Sequence, residues 1–264
     1  MGEWVQSDGA RLAVEVIGEG DPVSVVTHGL CQSRVELSIL APFVPGTKVL
    51  FDFRGHGESD RPPPGSYSMD HFAGDIDAVA SAYDASVLIG ASLGGGAGLR
   101  LLMRDPERFE RVVILLPARL EAEAASAGVR MRLLRVADAL ERYPLEEATR
   151  RIMELEEAEG AFDGIGSARQ TRLEALLRMN RDGIPHAIRE AIDDPPVRDL
   201  APVRRVTAPA IVVGQEGDTI HTAEVARELA DALPNAELIM FPDPEAMVRE
   251  IPMLIARIAA FMTG

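Results

Sequence analysis

The feature that most restricts how this chain can fold is a five-residue turn, Gly90-Ala91-Ser92-Leu93-Gly94. It follows the apolar run ASVLI (85–89) and leads into a helical pattern that reaches residue 104. A strand that turns directly into a helix through Gly-x-Ser-x-Gly holds its serine in a strained backbone conformation. The glycines are needed where neighbouring backbone passes too close for a Cβ. Such a turn lifts the hydroxyl to the edge of a sheet and the start of a helix. A tight β–α turn with an incidental serine would use the same glycines. Strand before and helix after favour the first reading.

The remainder of the chain supplies a sheet for that turn. SDG (7–9) separates two short β segments, the second being RLAVEVIG. PVSVVTHG (22–29), TKVLFDFRGHGES (47–59) and RVVILLP (111–117) each contain a short apolar run suited to a buried strand. RPPPGSYS (61–68) reads as loop. MDHFAGDIDAVASAY (69–83) has helical spacing, with Asp75 and Asp77 expected on its outer side. Short apolar strands separated by helices imply a mostly parallel sheet with helices on both faces, the α/β class. The alternation stops at 119–200, where four helical patterns follow one another between Gly and Pro breaks. It resumes with APAIVVGQEGD (208–218), TAEVARELADALP (222–234), AELIMFP (236–242) and a terminal amphipathic helix, REIPMLIARIAAFM (249–262). The expected organisation is therefore a core of residues 1–118 and 201–264, with 119–200 inserted as a helical cap over the ligand-binding edge of the sheet.

Composition narrows the classes of function. Hydrophobic residues make up 47% of 264, ample for one large core, and the formal net charge is −15. That charge repels phosphate, so neither nucleic acid nor an anionic membrane is an expected partner. The N-terminus lacks a basic segment followed by an apolar core, and no apolar run reaches the length of a membrane span, so a cytoplasmic location is expected. The single cysteine, Cys31, is expected to be a small buried hydrophobe. Five scattered histidines show no metal-ligand spacing, and no phosphate-binding Gly loop with Lys occurs, so neither a metal nor another cofactor is expected.

Four motifs in order carry a resemblance over essentially the whole length: His28-Gly29, DFRGHGES (52–59), GASLG (90–94) and Gly214-x-x-x-Asp218. The chain resembles an α/β-hydrolase-fold protein, and the place of the helical block fits as well. The resemblance implies Ser92 as nucleophile, Asp218 as triad acid, and an oxyanion hole from the backbone N–H groups of Leu30 and Leu93. It implies structural loop roles for His28, Gly29 and His56, and His71 is read as lying outside the site. In this family the triad histidine follows the last strand, a few residues before Glu-x-Pro and the terminal helix. Glu250-Ile251-Pro252 is present, but Pro244-Glu245 stands where Gly-His is expected, and no histidine follows His221.

Three side chains are candidates for the base, and the absence of any base is the remaining reading. Glu245 occupies the expected position, and beside Asp218 it could form a shared-proton carboxylate pair. His221 lies three residues after Asp218 at the start of a helix. His186 lies in the helical block. The leading expectation is a serine hydrolase acting through an atypical base on a small uncharged ester, thioester, lactone or amide. A non-hydrolytic lyase, isomerase or cyclase on the same fold, and a non-catalytic binder of small molecules, are the alternatives. The ligand is expected to be mainly apolar, with Met131, Leu134, Leu176, Leu177 and Met179 lining its pocket or forming the core of the cap. Oligomeric state is left open, a homodimer included.

Overall fold

The computed structural model describes residues 3–38, 41–118, 127–159 and 168–264. Eight strands form one sheet: β1 (Glu3–Ser7), β2 (Ala10–Ile17), β3 (Val23–Thr27), β4 (Thr47–Phe51), β5 (Val87–Ala91), β6 (Arg111–Leu115), β7 (Ala210–Gln215) and β8 (Ala236–Phe241). Their order is β1-β2-β4-β3-β5-β6-β7-β8. β1 and β2 are antiparallel, as are β2 and β4, while every pair from β4 to β8 is parallel. Six parallel strands therefore end at one edge, and the turns that follow them gather there.

The interior of the sheet follows from strand periodicity. Val112 and Ile114 of β6, with Ala210 and Val212 of β7, belong to one apolar cluster. The alternate residues Val113, Leu115, Ile211 and Val213 belong to another. The first cluster is closed by α2 (Met69–Ala82), α3 (Leu93–Arg104) and α8 (Ala223–Ala232). The second is closed mainly by α10 (Ile251–Thr263), through Leu254, Ile258 and Met262. A sheet covered on both faces explains why its central strands read as continuous apolar runs. Two short elements, α1 (Arg34–Ser38) and α9 (Pro244–Arg249), complete the sheet's surroundings.

Between β6 and β7 lie α4 (Ala127–Arg142), α5 (Leu145–Ala158), α6 (Ala168–Leu177) and α7 (Ile184–Ala191). Residues 119–126 and 160–167 of the expected cap lie outside the described residues. The four helices share an apolar cluster of their own, built on Val136, Leu140, Ile152, Leu176 and Ile188, into which Cys31 also packs. Burial pushes the Cys31 thiol up to about 12, which leaves it neutral. Of the side chains expected to line a pocket, Leu176 and Met179 are buried in this cluster, Leu134 is half-buried, and Met131 and Leu177 are exposed. The helices meet the sheet's loops through polar contacts. Glu190 accepts from the amides of Gly65 and Tyr67 at 2.7 and 2.8 Å, and Asn180 Nδ2 donates to Gly57 O at 3.2 Å.

Two local expectations are corrected. Asp75 does not face outward: it is fully buried and takes Arg54 in a hydrogen-bonded ion pair, with Nη2 2.7 Å from Oδ1. A buried charge requires such a partner, and the guanidinium comes from the 52–59 loop, which helical spacing alone could not reveal. The terminal helix is also preceded by a separate short one. Asp243 accepts from the Ala246 amide at 2.6 Å and caps α9, with Pro244 in its first turn. Among the described residues, no helix is long and apolar enough to cross a membrane.

Candidate active site

Ser92 links β5 to α3 with φ 48° and ψ −110°, a conformation that L residues rarely adopt and that costs on the order of 1–3 kcal/mol. The surrounding backbone imposes it. Ser92 N–H donates to Leu115 O at 3.0 Å, and Ser92 O accepts from Gly96 N–H at 2.9 Å. A Cβ on Gly90 would fall 2.7 Å from Gly95 N, and one on Gly94 would fall 2.3 Å from Thr27 Oγ1. The glycines thus allow β3, β5 and α3 to converge beneath the serine.

The turn between β7 and α8 supplies its partners. Asp218 Oδ1 accepts from the amides of Ile220 and His221 at 2.7 and 2.9 Å. This local turn brings the His221 ring alongside, with Nδ1 3.1 Å from Asp218 Oδ2. The opposite ring nitrogen, Nε2, lies 2.9 Å from Ser92 Oγ across 129 residues of sequence. A carboxylate only accepts, so Nδ1 carries the proton and Nε2 is free to accept from the serine hydroxyl. Burial pushes the Asp218 carboxyl up, but the hydrogen bonds and charge of His221 and the Ile220 amide outweigh it. The net effect holds Asp218 ionised, well below the usual carboxylate range.

The loop after β3 lies against the serine, since a Cβ on Gly29 would fall 3.3 Å from Ser92 Cβ. His28 is fully buried, and burial lowers its basicity, which keeps the ring neutral. Its Nε2 accepts from Phe53 N–H at 3.1 Å, so Nδ1 is the donor to Gly29 O at 2.8 Å. Gln32 N–H donates to the same carbonyl at 3.2 Å. In a trans peptide the N–H opposes the C=O, so fixing Gly29 O also aims the Leu30 N–H. The Ser92 carbonyl, held by Gly96, aims the Leu93 N–H in the same way. Neither the Leu30 nor the Leu93 amide donates to an acceptor among the described residues. Two free, pre-aimed donors beside a serine can bind a negatively charged oxygen.

The other expected residues stand elsewhere. Glu245, placed by landmark counting at the base position, is an exposed residue in the first turn of α9. Among the described residues it hydrogen-bonds to neither Ser92 nor Asp218, so the expected carboxylate pair is not formed. His186 of α7 sits half-buried with its ring 6.0 Å from that of Tyr67, without a hydrogen bond to Ser92. His56 is fully buried against Phe53 and Phe72, where burial, with the neighbouring His28, lowers its pKa to about 3. His71 forms a capping box with Ser68 at the start of α2. Gln215, which the motifs did not single out, donates from Nε2 to Asp218 Oδ2 at 3.0 Å. No group of three or more His, Cys, Asp or Glu among the described residues is placed to hold a metal ion.

A family model of the alpha/beta hydrolase fold matches residues 23–248. The chain belongs to the alpha/beta-hydrolase fold family. Its relatives in that family include the AB hydrolase superfamily protein YisY of Bacillus subtilis, 26% identical over 249 residues, with 91% of each chain covered. The non-heme chloroperoxidase of Streptomyces lividans is 26% identical over 275 residues, covering 97% of this chain and 96% of that one. Among solved structures, a hydrolase from Pseudomonas aeruginosa PA01 superposes with a TM-score of 0.81 at 21% identity, covering 100% of this chain and 98% of the other. That likeness speaks to the fold alone.

Proposed function

We propose that this alpha/beta-hydrolase-family protein is a serine hydrolase in which Ser92, His221 and Asp218 act as nucleophile, base and acid. The observation that carries the reading is the continuous chain from Ser92 Oγ to His221 Nε2 at 2.9 Å and from His221 Nδ1 to Asp218 Oδ2 at 3.1 Å. Nucleophile, base and orienting acid within hydrogen-bond reach are the parts required for acyl transfer.

Each proton has a place in this scheme. Ser92 Oγ attacks the substrate carbonyl carbon as its proton passes to His221 Nε2. The negative oxygen so formed is met by the N–H groups of Leu30 and Leu93. The carbon–leaving-group bond then breaks, and the leaving group takes the proton from His221. Water attacks the acyl-Ser92 ester, giving its proton to His221, and the second collapse returns the acid and the free serine. Asp218 stays ionised throughout and stabilises the imidazolium.

The substrate class we propose is a small uncharged ester, thioester, lactone or amide. Among the described residues, Ser92, His221 and Asp218 hydrogen-bond to one another and to uncharged donors rather than to a Lys or Arg, an arrangement that suits a neutral reacting carbonyl. We further propose that residues 119–200 act as the cap over this edge. What supports this reading over a lyase, isomerase or cyclase and over a non-catalytic binder is the contact of His221 with Ser92, which supplies the base that a serine nucleophile requires.

The test is mass spectrometry of the intact protein after exposure to a fluorophosphonate, alongside hydrolysis of a short-chain nitrophenyl ester. Wild type is expected to gain one phosphonyl group at Ser92 and to turn over the ester, whereas Ser92→Ala does neither. Ester turnover that survives Ser92→Ala would refute the assignment.

A further inference from the structure

The Asp218 carboxylate is held from two directions. Three donors come from its own turn: the amides of Ile220 and His221 on Oδ1, and the His221 ring on Oδ2. The fourth comes from the sheet. Gln215, the last residue of β7, is buried and places Nε2 3.0 Å from Oδ2, the same oxygen that receives His221 Nδ1–H. Because a carboxylate only accepts, the amide must present its NH₂ group here.

We propose that Gln215 is a positioning residue for the reaction: it ties the Asp218 carboxylate to the sheet and so sets where the His221 ring meets Ser92. The proposal rests on the triad reading above. Its physical need follows from how compact the turn is. The local hydrogen bonds fix Asp218 and His221 relative to each other, but neither of them relative to Ser92. Glu216 fastens the start of the turn, through its N–H to Phe241 O at 2.9 Å and its ion pair with Arg227, but the residues around Asp218 are looser: Gly217, Thr219 and Ile220 are exposed and Gly217 adopts φ 76°. Ser92 rides on β5, which reaches β7 through the intervening β6. Gln215 is the described side chain that connects the triad carboxylate to that shared framework.

Gln215 also shares the charge that faces the imidazolium. A donor on Oδ2 draws off some of the negative charge available to His221, so the residue at 215 tunes the basicity of the ring as well as its place. The titratable groups in this cluster are Asp218 and His221. Neighbouring Glu216 is turned to an ion pair with Arg227.

The experiment follows fluorophosphonate inactivation from about pH 5 to about pH 9, the window in which histidine titrates. It compares wild type, Gln215→Met, Gln215→Glu and His221→Ala, with melting temperatures taken in parallel. Gln215→Met keeps the shape but loses the donor, and the plateau rate should fall about 10-fold through misplacement of the base. Gln215→Glu adds a second negative charge beside the imidazolium, and the pH midpoint should rise by about one unit. Unchanged plateau and midpoint in both variants would overturn the proposal. So would a lowered melting temperature with an unmoved midpoint in the Glu variant, since packing alone would then explain the residue. A His221→Ala variant as reactive as wild type would mean that the triad reading had failed first, leaving Gln215 with no base to position.

Discussion

Two turns leave the same edge of the sheet, because β7 and β8 are parallel neighbours. The first, after β7, holds an acid and an imidazole three residues apart, joined by two backbone hydrogen bonds and one ring contact. The second, after β8, holds the cap of a short helix: Asp243 accepts from Ala246 N–H, Pro244 follows, and Glu245 faces solvent. Family landmarks would place the base on the second turn, yet the imidazole that reaches Ser92 comes from the first. A triad is recognised by mutual geometry rather than by chain order. On the present reading the acid and base have become one local unit, and the turn after β8 has been left with a structural task.

The contrast can be broken most forcefully at Asp218. On our account, Asp218→Asn presents an amide where His221 Nδ1–H needs an acceptor, and it favours the wrong tautomer. Ester hydrolysis should drop by on the order of 10³–10⁴-fold in kcat, with KM changing far less. Equal losses in KM and kcat, or a loss below about 10-fold, would separate Asp218 from the chemistry.

A second effect belongs to the buried histidines, His56 and His28. His56 titrates near 3 in the folded chain, against an ordinary value of 6.5. The unfolded chain therefore binds more protons than the folded one between those values, and stability falls as pH is lowered from about 6.5 toward 3. His28, also lowered by burial, acts in the same direction. Asp218 adds to the loss only at the acid end, below the ordinary carboxylate value of 3.8. Melting temperature should decline between pH 7 and pH 4, and His56→Asn should flatten the decline even if it lowers the absolute value. A variant with a slope as steep as wild type would show that His56 is not the group responsible.

The smallest expected effect lies on the second turn. Removing the α9 cap by Asp243→Ala should cost about 1 kcal/mol in denaturant unfolding. The same variant should leave Ser92 labelling within about twofold of wild type, as expected for a substitution outside the reacting groups. A large loss of labelling would return the turn after β8 to the site.

Much of this molecule was legible in its sequence because local physics writes it there. Central strands buried on both faces must be apolar throughout, so VVT, VLI, VVIL and AIVV mark them. The strained turn at Ser92 must be flanked by glycine, because β3 and α3 leave no room for a Cβ at Gly90 or Gly94. What could not be read were contacts made through space. Helical spacing put Asp75 on the outer side of α2, and only the fold buries it and brings Arg54 to it. His221 and Ser92 are 129 residues apart, and nothing in their spacing announces a 2.9 Å contact. The nearest local signal was Asp218-Thr219-Ile220-His221 just before a helix, a spacing that suits an Asx-type turn with its imidazole beside the carboxylate. Gln215 was less visible still, since a glutamine ending a buried strand has many ordinary uses.

The comparison of the two turns comes down to one measurement: the second-order rate of fluorophosphonate inactivation of wild type, His221→Ala and Glu245→Ala, measured side by side at a fixed pH. Our account predicts that Glu245→Ala reacts within about twofold of wild type, while His221→Ala slows by at least about 10³-fold. The reverse order, with Glu245→Ala inert and His221→Ala reactive, would return the base to the turn after β8 and contradict the assignment at its centre.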